Sequence, residues 1–221
     1  NRDAWTRWVE ASGGAVIQSQ SMAVNTADPL PYVAGLDHSV DGIYVALLGP
    51  DSLRGLSALR QVGFTAKQIV TADAVFAVAD TPSLGKEVEG VWGGASAPFE
   101  LSDKDTPYLR AMRKAVGIDE HGREVGTHRT CTIGDIWPAW ENFGLLKKSI
   151  EGSGWKTRDD NLTLIKYIEA NPNYPESEVC PQGNLYIRPA DHQGFCDYYV
   201  LRVKDGAIRV ESRIPQEAGM Y

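Results

Sequence analysis

An unbroken apolar run at residues 43–48, closed by Gly49-Pro50 and followed at once by a leucine stripe, constrains this chain more than any other stretch. A continuous run of strand length, rather than an alternating one, implies a strand buried on both faces, as in a parallel sheet. Asp51 or Ser52 can cap the next segment, where Leu53, Leu56, Leu59 and Val62 share one side of a helix and Gly63 stops it. The unit is strand, polar turn and amphipathic helix. Ligands of open α/β sheets bind at the carboxyl ends of strands, so the turn at 48–52 is the first expected place for function.

Up to about residue 99 the same alternation repeats. Residues 1–12 read as helix, with Trp5, Trp8 and Val9 on one stripe, and 15–22 as strand. A short helix follows at 29–35, a strand at 68–72, a weaker helix at 83–88 and an extended segment at 91–95. Repeated β-α-β order argues for a parallel, doubly wound sheet. The chain opens inside a helical stripe, without Met or a leader pattern, and so reads as a cut chain.

After Pro98 the composition changes. Thr106-Pro107 starts a helix whose stripe is Leu109, Met112 and Val116, and Gly117 ends it. Residues 119–127 are polar and Gly-punctuated, hence loop. Ile133, Ile136, Trp137, Trp140, Phe143, Leu146 and Ile150 form a long apolar face, within which Pro138 marks a kink or a start. Thr157 and Asp160 approximate a capping box ahead of Leu162, Ile165 and Ile168. Residues 106–170 are thus helix-rich with no strand of their own, and their apolar faces, Trp137 and Trp140 included, call for a sheet outside this chain. Residues 171–181 form a connector and 185–188 an extended segment, with a polar turn at 191–193. Residues 198–203 pair with 207–210 across Lys204-Asp205-Gly206, a hairpin signal.

Composition narrows the function classes. A hydrophobic share of 43% supports a packed core, while 29 acidic against 22 basic residues give a net charge of −7. No stretch is strongly basic, which argues against nucleic acid as a partner. No apolar run approaches the length of a membrane span, so direct insertion is not expected either. Of three cysteines, Cys180 and Cys196 can bridge across 181–195 in an oxidising compartment or stand as buried thiols.

Enzyme signatures are thin: GxSxG, P-loop, GxGxxG and HExxH patterns do not occur. His128 and Cys131 sit three apart but have no second pair to complete a metal site, so no metal or cofactor is expected. His192, in Asp-His-Gln, reads as a turn residue. Asp159-Asp160 and Asp119-Glu120 fall at a helix start and in a loop. Asp73 differs, because it follows a strand and stands among Ala72, Ala74, Val75 and Phe76. A carboxylate there needs a cation or a donor, unless it caps a short turn starting at Ala74.

Four stretches together resemble the periplasmic solute-binding proteins of ABC transporters, of the branched-chain amino acid (Leu/Ile/Val) type. DGIYVALLGPDSLRGLSALRQVGF is similar to the family's strand, cleft turn and helix, and IVTADAVF to the next strand and cleft loop. VEGVWGGASAPF is similar to the strand entering a hinge, and NLYIRPADHQGFCDYYVLRVKDG to the return segment and closing hairpin. The resemblance implies an α/β fold of the type I periplasmic-binding-protein class: one doubly wound parallel sheet lobe plus helices of an incomplete second lobe. By similarity, residues 1–97 and 184–221 belong to the C-terminal lobe and 98–183 to the N-terminal one.

The same resemblance implies capture of a small solute in a cleft that closes by hinge motion, in the periplasm or another extracytoplasmic space, with delivery to a membrane permease. Asp73 matches the acidic position that receives a ligand ammonium group, with Asp where many Leu/Ile/Val binders carry Glu. Leu48 and Gly49 fall where those binders often place an aromatic residue, which keeps amide, urea-like and aromatic acid solutes alongside amino acids. Backbone groups near Gly49, Thr71 and Ala72 are expected to orient the solute, and segments near 95–99 and 181–184 to flex. The rival expectations are a ligand-sensing domain of a regulator or receptor, and an α/β hydrolase using Asp73 or His192.

Overall fold

The computed structural model describes residues 2–47, 50–71, 85–129 and 133–219. In chain order its elements are α1 (Arg2–Ala11), α2 (Leu30–Val33), β1 (Ile43–Val45), α3 (Pro50–Gln61), β2 (Ile69–Thr71) and β3 (Trp92–Ala95). Then come α4 (Pro107–Val116), α5 (Ile133–Ser153), α6 (Asn161–Ala170), β4 (Asn173–Tyr174), β5 (Leu185–Ile187), β6 (Gly194–Cys196), β7 (Tyr198–Lys204) and β8 (Ala207–Ile214).

Five strands form one sheet in the order β1-β2-β3-β7-β8, and β4-β5-β6 form a second, antiparallel one. β1, β2 and β3 run parallel, with Val45 opposite Thr71 at the carboxyl ends of the first two. The expected hairpin completes this parallel set: β7 pairs antiparallel with β3 and β8 antiparallel with β7, so the sheet is mixed. A parallel neighbour needs a crossover of a dozen or more residues, whereas the Asp205-Gly206 hairpin returns the chain at once. Both turn residues have positive φ, 52° and 73°, as the twist-matched two-residue turn requires.

Two expectations from the sequence are corrected. Residues 15–22 make no ladder and are almost wholly exposed, so their alternation finds no strand partner. β1 is an edge strand with Ile43 and Tyr44 only half-buried, so its unbroken apolar run does not mark burial on both faces. Of the helix expected near 83–88, residues 83 and 84 lie outside the described residues, and Gly85–Glu87 form a 3₁₀ turn.

The main core lies between sheet and helices, where Phe64, Ile69, Val91, Leu109, Met112, Leu201 and Val203 are buried together. α4 starts and stops as its sequence dictates: Thr106 Oγ1 accepts from Leu109 N at 3.1 Å, and Gly117 adopts a left-handed φ of 76°. Trp137 is also corrected. It is 5% exposed and packs in this core, with Trp140 partly buried against it, rather than awaiting a sheet from elsewhere. A second cluster of Leu145, Tyr174, Cys180 and Leu185 joins α5 to the small sheet. Other apolar faces stay open, with Phe143 on α5 74% exposed and Leu162 on α6 71% exposed. No helix among the described residues is long and apolar enough to cross a membrane.

Candidate functional site

Three parallel strands release the chain at one end of the sheet, and that end is where the sequence places the site. Among the five residues expected there, Thr71 lies within the described residues, while Leu48, Gly49, Ala72 and Asp73 lie outside them. Thr71 is 2% exposed and its hydroxyl donates to Trp92 O on β3 at 3.2 Å, so the side chain holds two strands in register.

The flanking helix start is equally committed. Ser52 is fully buried and its Oγ donates to Leu47 O at 2.6 Å, tying the first turn of α3 to the chain leaving β1. Gly55 allows α3 to approach closely, since a Cβ there would sit 2.6 Å from Leu47 Cδ1. Asp51, also buried, accepts from Asn25 N at 2.8 Å and pairs with Arg54. Neither Asp51 nor Ser52 is spare for a ligand on these contacts; both fix the start of α3 against its surroundings.

A polar hub stands where the chain passes from β3 to α4 and from the connector to β5. Lys104 Nζ donates to Gln182 O, lies 3.2 Å from Glu176 Oε2 and donates to Tyr199 Oη at 3.3 Å. Tyr199 Oη donates to the same carbonyl at 2.7 Å, and Gln182 Nε2 donates to Glu141 Oε1 at 2.6 Å. Burial holds the Glu141 carboxyl above its ordinary range, against the hydrogen bonds from Gln182 and Cys180. Tyr199 is likewise pushed up, first by burial and then by the Asp197 charge. Asp197 itself is 1% exposed and accepts from Arg213 at 2.7 Å and from Gln216 N at 3.1 Å.

Arg113 performs the same service one layer away. It is buried on α4, donating to Phe99 O at 2.7 Å, Pro98 O at 3.2 Å and Asp119 O at 2.9 Å. Burial lowers its pKa, while Glu100 and Asp119 oppose that shift. Segments 98–104 and 180–184 are therefore clamped side by side. Sequence reasoning named 95–99 and 181–184 as segments that flex and missed the clamp, whose partners stand 78 and 95 residues apart and leave no local pattern.

His192 is the turn residue the sequence suggested, with φ 59° and its N–H donating to Arg188 O at 2.8 Å. Its Nε2 lies 2.9 Å from Glu169 Oε1, which ties the β5–β6 turn to α6. His128 also adopts a left-handed turn conformation, and Cys131 lies outside the described residues. Among the described residues no cluster of three or more His, Cys, Asp or Glu could hold a metal ion.

Comparison with solved structures returns the same architecture repeatedly. A solute-binding protein of an ABC transporter from Rhodopseudomonas palustris HaA2, in complex with p-hydroxybenzoic acid, superposes with a TM-score of 0.74 at 20% identity, covering 97% of this chain and 56% of its own. An ABC transporter substrate-binding protein from Sphaerobacter thermophilus gives 0.76 at 17% identity over 97% and 56%. The leucine-binding protein LivK of Thermotoga maritima gives 0.73 at 17% identity over 98% and 56%. The chain thus spans just over half the length of these relatives, whose likeness at such identity speaks for the fold. No curated protein sequence matches it. The sequence profile of the periplasmic binding proteins matches residues 1–207, and the chain belongs to that family, with the type I fold.

Proposed function

We propose that this chain is part of the extracytoplasmic solute-binding component of an ABC importer, a binder rather than an enzyme. It would capture an amino acid or a related small polar or aromatic acid by closure of two lobes. The observation that carries this reading is the parallel register that sets Val45 opposite Thr71, so that β1 and β2 end at one rim of the sheet. At such a rim strand carbonyls and loop amides converge without helix or sheet partners of their own, which suits a polar solute. One relative is in complex with p-hydroxybenzoic acid and another is a leucine-binding protein, and both solutes carry a carboxylate on an apolar body.

In this reading Leu48, Gly49, Thr71 and Ala72 supply backbone groups and apolar contact, and Asp73 supplies a charge for an ammonium group. Residues 1–97 with 184–221 form one lobe and 98–183 belong to the other. The pairing of β3 with β7 supports that grouping, since it brings 198–214 into the sheet of 43–95. Residue 184 itself falls between the paired strands β4 and β5. Closure would sequester the solute, and its differential contact with the closed form would set the population shift. A membrane permease is the partner such a binder serves.

Calorimetry of the intact protein against benzoates and aliphatic amino acids tests the reading. Asp73→Ala is expected to weaken an amine-bearing solute by about 2–4 kcal/mol and to leave a simple benzoate much less affected. Equal affinity of variant and parent for the amine-bearing solute would remove Asp73 from the site.

A further inference from the structure

We propose that Cys180 and Cys196 form a disulfide in the oxidised protein, stapling the segment that enters β5 to strand β6. Cys180 is fully buried in the cluster with Leu145, Tyr174 and Leu185, and Cys196 packs against that same cluster from β6. The register sets Cys196 opposite Leu185. Gly183 N donates to Cys180 O at 3.4 Å, which turns the chain just ahead of β5. A Cβ on Gly183 would lie 2.3 Å from Asp197 Oδ2, so the two cysteine-bearing stretches touch one residue from Cys196. The thiols are also close enough that the state of Cys196 bears on the ionisation of Cys180.

The order of the chemistry follows from the surroundings. Burial and the adjoining Glu141 carboxylate, to which the Cys180 thiol donates, make Cys180 hard to ionise. The half-buried Cys196 therefore attacks first, as thiolate, on one sulfur of a low-molecular-weight disulfide such as oxidised glutathione, and releases one thiolate. Cys180 Sγ then attacks Cys196 Sγ in the mixed disulfide, gives its proton to Glu141 and expels the second thiolate. Two protein thiols lose two electrons, and the oxidant's S–S bond becomes two thiols.

Whether the bond is occupied in the cell rests on the extracytoplasmic reading above, because a cytosol keeps thiols reduced. Whether it forms at all does not. The test is to equilibrate the purified 221-residue chain in a series of oxidised-to-reduced glutathione ratios, alkylate it in denaturant and digest it without reductant. The expected product is a peptide pair joining Cys180 to Cys196, with Cys131 alkylated, that persists in Cys131→Ser and vanishes in Cys196→Ser. Oxidised parent should also melt above reduced parent, with no such gap in Cys196→Ser. Alkylated Cys180 at every ratio, or a bond to Cys131 instead, would overturn the proposal. The readout is covalent and needs no solute, so failure to bind one counts against the transport reading alone.

Discussion

Single side chains carry more of this fold than their number suggests, and Arg113 is the clearest case. One buried guanidinium donates to three carbonyls, those of Pro98, Phe99 and Asp119. Arg113→Ala should therefore cost about 3–5 kcal/mol in urea unfolding, because it strands buried acceptors and empties a packed site. Arg113→Lys should recover little, since a single ammonium cannot fork to three oxygens. His121 acts more gently. Its Nδ1 lies 2.9 Å from Glu100 Oε2, and that hydrogen bond, together with the Glu100 charge, raises its pKa. A raised folded-state pKa means that the contribution is complete below the ordinary histidine value of about 6.5 and is lost as pH climbs through the raised value. His121 is half exposed, so the pair's worth is about 1 kcal/mol or less. Melting curves of parent and His121→Gln should differ near pH 5.5 and converge near pH 8.5, with the buried Glu141 acting equally on both. A gap that widens with pH would show that His121 does not favour its charged form here.

Elements defined by chemistry within a few residues were legible in the sequence, and so were β1, β2, β3, β5, β7 and β8 as extended runs, whereas β4, β6 and the partnerless run 15–22 were not. The Thr106-Pro107 start and Gly117 stop of α4 follow from a side-chain acceptor for an orphan amide and a residue free to take positive φ. The capping box at Thr157 and Asp160 follows likewise, with Thr157 N donating to Asp160 Oδ2 at 3.0 Å. Thr106→Ala should accordingly cost about 1 kcal/mol and Thr106→Ser almost nothing, by denaturant midpoint at constant slope. Strands obey a different logic, since a strand exists only where a ladder partner lies beside it. Residues 15–22 alternate well yet have none, whereas the short β6 forms because β5 lies alongside. The antiparallel entry of β7 next to β3 is a matter of topology as well, although Gly94 hints at it. A Cβ there would lie 2.4 Å from Tyr198 Cε1, so the glycine makes room for the ring of the strand's first residue.

At the scale of the whole chain, the order of parallel strands could be read from the sequence, but the clamp of Lys104, Gln182 and Tyr199 could not. The turn at 48–52 was named by the rule that ligands meet carboxyl ends, and Ala72 and Asp73 by family resemblance; Thr71 ends β2 opposite Val45. Lys104, Gln182 and Tyr199 meet only because three distant segments converge. The surfaces left open at this scale have a physical consequence. β1 is an edge strand beside α1, and Trp5 and Trp8 line a hollow of about 680 Å³ with Ala4 and Val9. A sheet edge that has no partner among the described residues, next to exposed tryptophans, favours pairing between copies, and a net charge of −7 opposes it. The first effect is short-ranged and hardly feels salt, while the second is screened over about 10 Å at 0.1 M ionic strength. Self-association measured by sedimentation should therefore strengthen from 0.02 to 0.5 M NaCl, and Trp5→Ser with Trp8→Ser should abolish the rise. Association that weakens with salt would instead assign it to ion pairs and leave the α1 face without a part in it.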